Sequence, residues 1–203
     1  MRRVVVLALL ALALPMAAWA DPITIINEFG SLNISTAGIS TKGSGSELEQ
    51  YGTITATKGH SLGTVTYSTG GLATGTIAAG GTFSATGSSF IVTGKGNYGE
   101  PKGAIFSGSF FGPIDWTKTS PAGQSNVTFT LSGAIKGTMY NGRNVSGTTS
   151  QNVYSTNNQL AGGVGHIKLG TTTLAVPEPG TLGLLGTGLV GIAGMFRRKL
   201  IGT

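Results

Sequence analysis

The feature that most constrains this chain is a series of short segments in which apolar and polar residues alternate. Residues 127–132 read Val-Thr-Phe-Thr-Leu-Ser, and residues 64–68 read Thr-Val-Thr-Tyr-Ser. Alternation with a period of two is typical of a strand with one buried face. Threonine suits the solvent face because its branched Cβ fits the pleated backbone. No window of ten residues shows a helical stripe, so we expect an all-β fold.

Turn-forming residues divide these segments at intervals of about 8–12 residues, a spacing that favours a single antiparallel β-sandwich or barrel-like domain. Asn141-Gly142 predicts a hairpin between residues 135–140 and 143–149, because both residues accept the positive φ of a type I′ turn. A β-solenoid is the alternative, although no fixed repeat supports it. The other predicted strands are 23–27, 53–57, 75–78, 82–86, 90–93, 104–111, 152–154 and 164–169.

The charge of the chain lies mostly at its ends. The formal net charge is +6, yet residues 21–175 contain eight Lys or Arg against six Asp or Glu. Those basic residues are scattered singly, whereas nucleic-acid binding requires a basic cluster within the domain. We therefore expect no nucleic-acid partner. The chain has no cysteine, which excludes disulfides, thiolate metal sites and cysteine nucleophiles.

The N-terminus has the three parts of a cleavable signal peptide. Arg2 and Arg3 form a basic region, an apolar stretch runs from residue 4 to 17, and Ala18 and Ala20 occupy the −3 and −1 positions of a cleavage site. An uncleaved anchor is the alternative, but the stretch is short of the roughly 20 residues that a membrane helix needs. We expect signal peptidase to release a chain that begins at Asp21.

The C-terminus has a second tripartite pattern. Pro177, Glu178 and Pro179 precede an apolar, glycine-rich stretch over residues 181–196, and a basic cluster follows it. The prolines keep the motif stiff and extended, and a basic cluster retains the end of such a stretch on the cytoplasmic side. The residues of that stop-transfer cluster are Arg197, Arg198 and Lys199.

This tail resembles the PEP-CTERM sorting signal of Gram-negative bacteria, whose substrates are processed by a membrane transpeptidase-like enzyme, exosortase. The resemblance implies transient insertion in the inner membrane, cleavage near the Pro-Glu-Pro motif, and release to the cell surface, outer envelope or medium. Families with this tail are often associated with exopolysaccharide and biofilm matrix. A simple membrane anchor is the alternative; a sortase signal is not supported, because Leu-Pro-x-Thr-Gly is missing.

These features predict four parts. Residues 1–20 form the signal peptide, 21–170 a β-rich extracellular domain, 171–175 an exposed linker, and 176–203 the sorting signal with its transmembrane helix.

The β-rich domain contains few residues of the types that usually act in catalysis. His60 and His166 are expected on surface turns beside glycine, and no Gly-x-Ser-x-Gly elbow accompanies them. A hydrolase would require Glu100, Asp115 or His166 to converge in one cleft. Glu47 and Glu49 would share a strand face, but their polar surroundings favour a solvated loop. We expect no catalytic site, metal or cofactor.

A formal dinucleotide fingerprint, Gly-x-Gly-x-x-Gly, lies at residues 94–99. Glu100 and Pro101 follow it where a helix would have to begin, so a tight turn between strands is the better interpretation.

The preferred interpretation of function is therefore an exported, non-catalytic structural or adhesive domain. The alternative is a carbohydrate-binding module of the exopolysaccharide matrix, in which Tyr98, Trp116 or Tyr140 would stack on sugar rings. A secreted hydrolase is the third hypothesis.

Overall fold

In the computed structural model, the described residues are 22–120, 126–155, 160 and 163–175. They form thirteen strands in one sheet: β1 Ile23–Glu28, β2 Gly30–Ser35, β3 Gly38–Thr41, β4 Ser46–Tyr51, β5 Ile54–Thr55, β6 Gly63–Ser68, β7 Leu72–Thr76, β8 Gly80–Phe83, β9 Ser89–Gly94, β10 Gly103–Lys118, β11 Val127–Met139, β12 Asn144–Ser155 and β13 Val164–Ala175.

Eight of these strands close into an antiparallel barrel. The order around the barrel is β1, β4, β6, β9, β10, β11, β12 and β13, and β13 pairs with β1 to complete the ring. Closure runs from Ile23 opposite Leu174 to Asn27 opposite Gly170. A closed sheet has no free edge on which another chain could add a strand. The all-β, barrel-like prediction is confirmed.

The other five strands lie alongside barrel strands, beyond the points at which the barrel pairing is interrupted. After Phe29, β2 continues the direction of β1 along β13, and β3 links β2 to β6. The β7–β8 hairpin continues along the second half of β10, and β5 pairs with β4. Phe29 has a φ of 57°, a conformation uncommon for a bulky residue, and its side chain is 72% exposed.

Apolar side chains fill the interior. Val65 and Tyr67 alternate with outward threonines along β6, and Leu131 does the same on β11. Trp116 stacks on Phe129 with ring centroids 4.5 Å apart, and its indole N–H donates to the carbonyl of Ile77 at 2.9 Å. A second aromatic group surrounds Phe90: Phe106 and Phe110 pack edge to face against it. Tyr67 lies nearly parallel to Phe90 at 6.0 Å and edge to face with Phe110.

A buried polar network crosses the barrel where it closes. The Asn27 amide donates to Ser46 Oγ at 2.7 Å and to Gln151 Oε1 at 2.9 Å. The Gln151 amide donates to Thr149 Oγ1, which shares a hydrogen bond with Thr172 Oγ1 at 2.8 Å. All five side chains are buried. Buried polar groups cost little when each finds a partner, so the network links β1, β4, β12 and β13 without an unpaired group.

The strand predictions succeeded where alternation was strong and failed in glycine-rich or polar stretches. Residues 53–57 were predicted as a strand, but only Ile54–Thr55 pair. Of the predicted strand 75–78, residues 75 and 76 end β7, and residues 77 and 78 lie in the turn between β7 and β8. Strands β2, β3 and β4 were not predicted, because their sequences are rich in serine, glycine and glutamate.

The predicted linker is wrong. Residues 171–175 belong to the second half of β13. All five pair with β12, and residues 171–174 also pair with β1. Thr172 and Leu174 point inward and are fully buried, so the small and polar composition that suggested a linker reflects the outward positions of a strand. The barrel therefore extends to Ala175.

Both ends of the barrel chain leave from the same side, which we call the terminal end. Ile23 of β1 pairs with Leu174, and the antiparallel order brings the segments 52–62, 95–102 and 140–143 to this side. Backbone hydrogen bonds join Gly52 to Thr24 at 2.7 Å and Tyr140 to Ile105 at 2.8 Å. At the opposite end lie the segments 36–37 and 77–79 and the described residues that flank the long strands there, 119–120, 126 and 163.

The polar network predicts a strict requirement for glycine at position 170. A Cβ at Gly170 would overlap the Asn27 and Gln151 amides, so Gly170→Ala should lower the free energy of unfolding by about 2–4 kcal/mol through crowding and broken hydrogen bonds. Chemical denaturation followed by circular dichroism measures this loss.

The matched control is Gly71→Ala. The nearest atom to a Cβ at Gly71 is the Thr36 carbonyl oxygen at 3.3 Å, and its φ is not in the left-handed range. Equal stability losses in the two variants would contradict the assigned role of Gly170.

Candidate functional surfaces

The three aromatic residues expected to stack on sugars are not equivalent. Trp116 is only 1% exposed and packs on Phe129 inside the barrel, so it is a core residue and that prediction is wrong. Tyr98 is 40% and Tyr140 58% exposed, and both lie in segments of the terminal end. Stacking on a ligand requires an accessible ring face, which leaves these two tyrosines as candidates.

Further side chains surround the exposed tyrosines. His60 lies beside Tyr98 with ring centroids 6.2 Å apart. The pKa of Tyr51 is raised, chiefly by burial and then by the electrostatic effect of the Tyr140 phenol. The Lys95 ammonium donates to Ser61 Oγ at 2.6 Å. The terminal end is thus a surface of phenols, an imidazole and lysines.

The glycine fingerprint forms the loop between β9 and β10, as the turn interpretation predicts. Its backbone N–H groups point inward to the Glu100 carboxylate: Asn97 donates at 3.0 Å and Tyr98 at 2.9 Å. Glu100 is 3% exposed. Burial alone would raise the pKa of its carboxyl, but these N–H groups outweigh burial and lower it. The anion bound by the N–H groups of the loop is therefore the Glu100 carboxylate of the same chain.

The residues of the hydrolase hypothesis are far apart. Glu100 is enclosed in the terminal-end loop, while Asp115 on β10 pairs with Ser132. His166 lies on β13 opposite Tyr154, three strands from β10 at about 4.8 Å per strand. His166 is therefore in a strand rather than the expected turn; its Nδ1 is 3.3 Å from Ser31 Oγ. The structure does not bring these groups into one cleft.

Three carboxylates share the outer face of β1 and β4. Glu28 pairs directly with Glu47, and Glu49 follows two residues later on the same face. The pKa of Glu49 is raised, first by burial and then by Glu47 and Glu28, while Lys95 lowers it. Glu47 and Glu49 thus belong to a strand, not to the expected loop. Within the described segments, no group of three or more His, Asp or Glu is arranged to hold a metal ion.

A groove not predicted from the sequence crosses the outer face of β10–β13. Its volume is about 510 Å³. Asp115, Ser132, Ser150 and Thr171 are successive partners across the four strands, so one carboxylate and three hydroxyls form a row. The bulge of β10 between Phe111 and Asp115 borders the row. Its full lining is Pro113, Asp115, Ser132, Gly133, Ala134, Thr148, Thr149, Ser150, Thr171 and Thr173.

The sequence contained the signal for this groove. Thr128, Thr130 and Ser132 alternate on β11, and Thr171 and Thr173 alternate on β13. Alternation shows that such hydroxyls share a face, but only the register shows which of them become neighbours.

The predictions for the two ends of the chain concern residues outside the described part of the structure. These are the cleavage residues Ala18 and Ala20, the motif Pro177–Pro179 and the basic cluster 197–199. No helix in the described part of the chain has the length and hydropathy to cross a membrane.

Comparison with known families identifies the tail. The family described as the PEP-CTERM protein-sorting motif matches residues 175–199, as the resemblance implied. No curated protein and no solved structure shows significant similarity to the chain. The chain thus has a PEP-CTERM sorting motif in addition to a β-barrel domain, and this motif implies exosortase processing, export and association with the cell surface.

The Glu100 carboxylate generates a prediction about acid stability. Its pKa is lower in the folded state than the model-peptide value of about 4.3, so its contribution to stability is complete above that value and is lost as the pH falls through the folded-state pKa. At pH 7, Glu100→Gln should lower the free energy of unfolding by about 1–3 kcal/mol, since a buried charged acceptor is removed.

The comparison of wild type and variant isolates this carboxyl, because Glu49 and the other acids are common to both. Denaturation at a series of pH values should show the two stabilities converging as the pH drops below 4 or so. A constant difference across the series would show that the charge of Glu100 is not responsible.

Proposed function

We propose that this chain is an exported, non-catalytic β-barrel protein that is displayed at the cell surface or in the extracellular matrix after its two ends are processed. The observation that carries the proposal is the match of residues 175–199 to the sorting motif on a chain whose barrel interior is filled by side chains. Signal peptidase and exosortase are the processing partners. The inner membrane holds the chain only transiently.

The filled interior supports a structural or adhesive role. Small eight-stranded barrels either hold a ligand in the lumen or fill it with side chains. Here one cluster of buried apolar residues occupies the interior, and the Asn27–Gln151 network crosses it. Interaction with other molecules is therefore expected on the outer surface.

The processing prediction concerns both termini of the native protein. We expect mass spectrometry of the protein recovered from envelope and medium to show a mature chain that begins at Asp21 and lacks the basic cluster 197–199. Pro177→Ala/Pro179→Ala should leave the tail attached, because the motif loses its fixed extended form. Recovery of intact chain from Met1 to Thr203 in the cytosol would refute the proposal.

A second candidate function is adhesion to extracellular polysaccharide through the outer groove. The row of hydroxyls with Asp115 presents donors and acceptors at strand spacing, which complements the hydroxyl groups of an extended glycan. Phe111 lies at the border of this surface, directly opposite Ala134, and is 40% exposed. The Lys136 ammonium lies over one face of its ring, 5.5 Å from the centroid, so stacking on a sugar would use the other face.

The adhesion prediction uses a groove-filling variant of the exported protein. Ser132→Gln/Ser150→Gln should reduce binding to the producing cell's own exopolysaccharide about tenfold or more, because two hydrogen bonds of about 0.5–1.5 kcal/mol each are lost and the groove is narrowed. Surface plasmon resonance on immobilised polysaccharide measures this change.

Two controls locate the binding surface. Thr74→Gln/Thr82→Gln alters another cross-strand hydroxyl pair, 2.7 Å apart on the β7–β8 hairpin, and should leave binding unchanged. Tyr98→Ala/Tyr140→Ala tests the terminal end instead. Loss of binding only in the tyrosine variant would transfer the site to that end, and no binding by wild type would remove this function.

A further inference from the structure

The hairpin between β11 and β12 is closed by a different turn from the type I′ turn expected from the sequence. The Met139 N–H donates to the Arg143 carbonyl at 2.9 Å, and the Gly142 N–H donates to the Met139 carbonyl at 2.8 Å. Gly142 has a φ of 78°, but among the described residues other than glycine only Phe29 has a positive φ. Asn141 therefore does not adopt the conformation of a type I′ turn, and the arrangement is typical of a longer hairpin loop with a left-handed glycine.

This turn holds the Asn141 side chain against its own main chain. The Arg143 N–H donates to Asn141 Oδ1 at 3.1 Å. The hydrogen bond closes a ring of atoms that includes the Asn141 amide carbon Cγ and the Gly142 nitrogen, which are the two atoms that a five-membered cyclic imide would join. A donor at Oδ1 also stabilises the negative charge that develops on this oxygen when Cγ is attacked.

Glycine at position 142 leaves the nitrogen open to reaction. Gly142 is exposed, and a Cβ at this position would have nothing within 4 Å. Because glycine has no Cβ, its nitrogen is less shielded than that of any other residue. Asn141 is exposed as well, so water reaches its amide. All the other asparagines precede larger residues; they are Asn27, Asn33, Asn97, Asn126, Asn144, Asn152, Asn157 and Asn158.

We propose that Asn141 is a site of spontaneous deamidation in the folded protein. The Gly142 nitrogen gives up its proton to hydroxide and forms a bond to Asn141 Cγ, while the bond between Cγ and Nδ2 breaks and ammonia leaves. The resulting succinimide then takes up one water molecule. Opening at Cγ gives aspartate. Opening at the main-chain carbonyl of residue 141 gives isoaspartate, in which the chain continues through the side-chain carbon.

One hydrogen bond of the turn opposes this reaction. The Gly142 N–H is bonded to the Met139 carbonyl, and this bond must break before the nitrogen can lose its proton. The reaction therefore requires local opening of the turn, but it does not require unfolding of the paired strands. Deamidation is thus a slow change that accumulates in folded protein as it ages.

The products alter the hairpin in two ways. Both carry a carboxylate in place of the neutral amide, which adds one negative charge at neutral pH. Isoaspartate also adds a methylene to the main chain between the two strands. The extra atom disturbs the register next to the turn, where Thr138 is opposite Asn144, and so weakens the pairing of β11 with β12 at this end.

The test follows the protein purified from producing cells and kept folded at neutral and mildly alkaline pH in water labelled with heavy oxygen. Digestion in ordinary water then restricts the label to changes that occurred during incubation, and mass spectrometry separates aspartate from isoaspartate. Conversion at Asn141 should be about tenfold or more faster than at Asn144, should rise with pH, and should give both isomers. Asn144 is the internal control, because it is exposed in the same hairpin but precedes valine.

Two variants locate the reaction. Asn141→Gln keeps an amide but moves it one methylene further from the Gly142 nitrogen, so conversion at this position should be lost, whereas Asn144→Gln should leave conversion of Asn141 unchanged. Retention of the Asn141 amide, equal conversion at Asn141 and Asn144, or conversion only in denaturant would overturn the site. Aspartate without isoaspartate would overturn the succinimide route. Failure of export or tail removal in cells would refute the proposed function and would leave this result unaffected.

Discussion

Pairing between the first and last barrel strands is the constraint on which the rest of the structure depends. Asn27 on β1 and Gln151 on β12 are 124 residues apart in sequence and hydrogen bonded inside the barrel, while Gly170 on β13 leaves the space that their amides occupy. Without this closure, β1 and β13 would be open edges of a long sheet. Contacts between distant residues also make folding slow compared with local pairing, so the complete domain must be synthesised before the barrel can form.

The sequence predicted the strand content well because most of the barrel obeys simple alternation. Val65 and Tyr67 on β6 and Phe129 and Leu131 on β11 face inward between threonines. Alternation does not distinguish a sandwich from a barrel, since that difference depends on whether the first strand pairs with the last. The inward Asn27 and Gln151 also break the apolar pattern. Their hydrogen bonds to each other could not be predicted, because they form only once distant strands are adjacent.

The candidate aromatic residues show what additional information the sequence held. On β10, Phe110, Ile114 and Trp116 fall on alternate positions of one face, so strict use of the period would have placed Trp116 in the core with Phe110. Tyr98 and Tyr140 lie in connecting segments, where exposure is the general expectation. Their assignment to a common end of the barrel required the antiparallel order. The outer groove required the register as well, because Ser132 and Ser150 become neighbours only through pairing of β11 with β12.

Strand β13 connects the fold to the processing of the tail. If β13 did not pair with its neighbours, residues 171–175 would be an unpaired segment before the Pro-Glu-Pro motif. Closure pairs those residues with β12 and β1 and buries Thr172 and Leu174, which leaves Val176 as the sole residue between the paired strand and Pro177. Any enzyme that acts near the motif therefore meets a substrate in which the paired strand continues to Ala175.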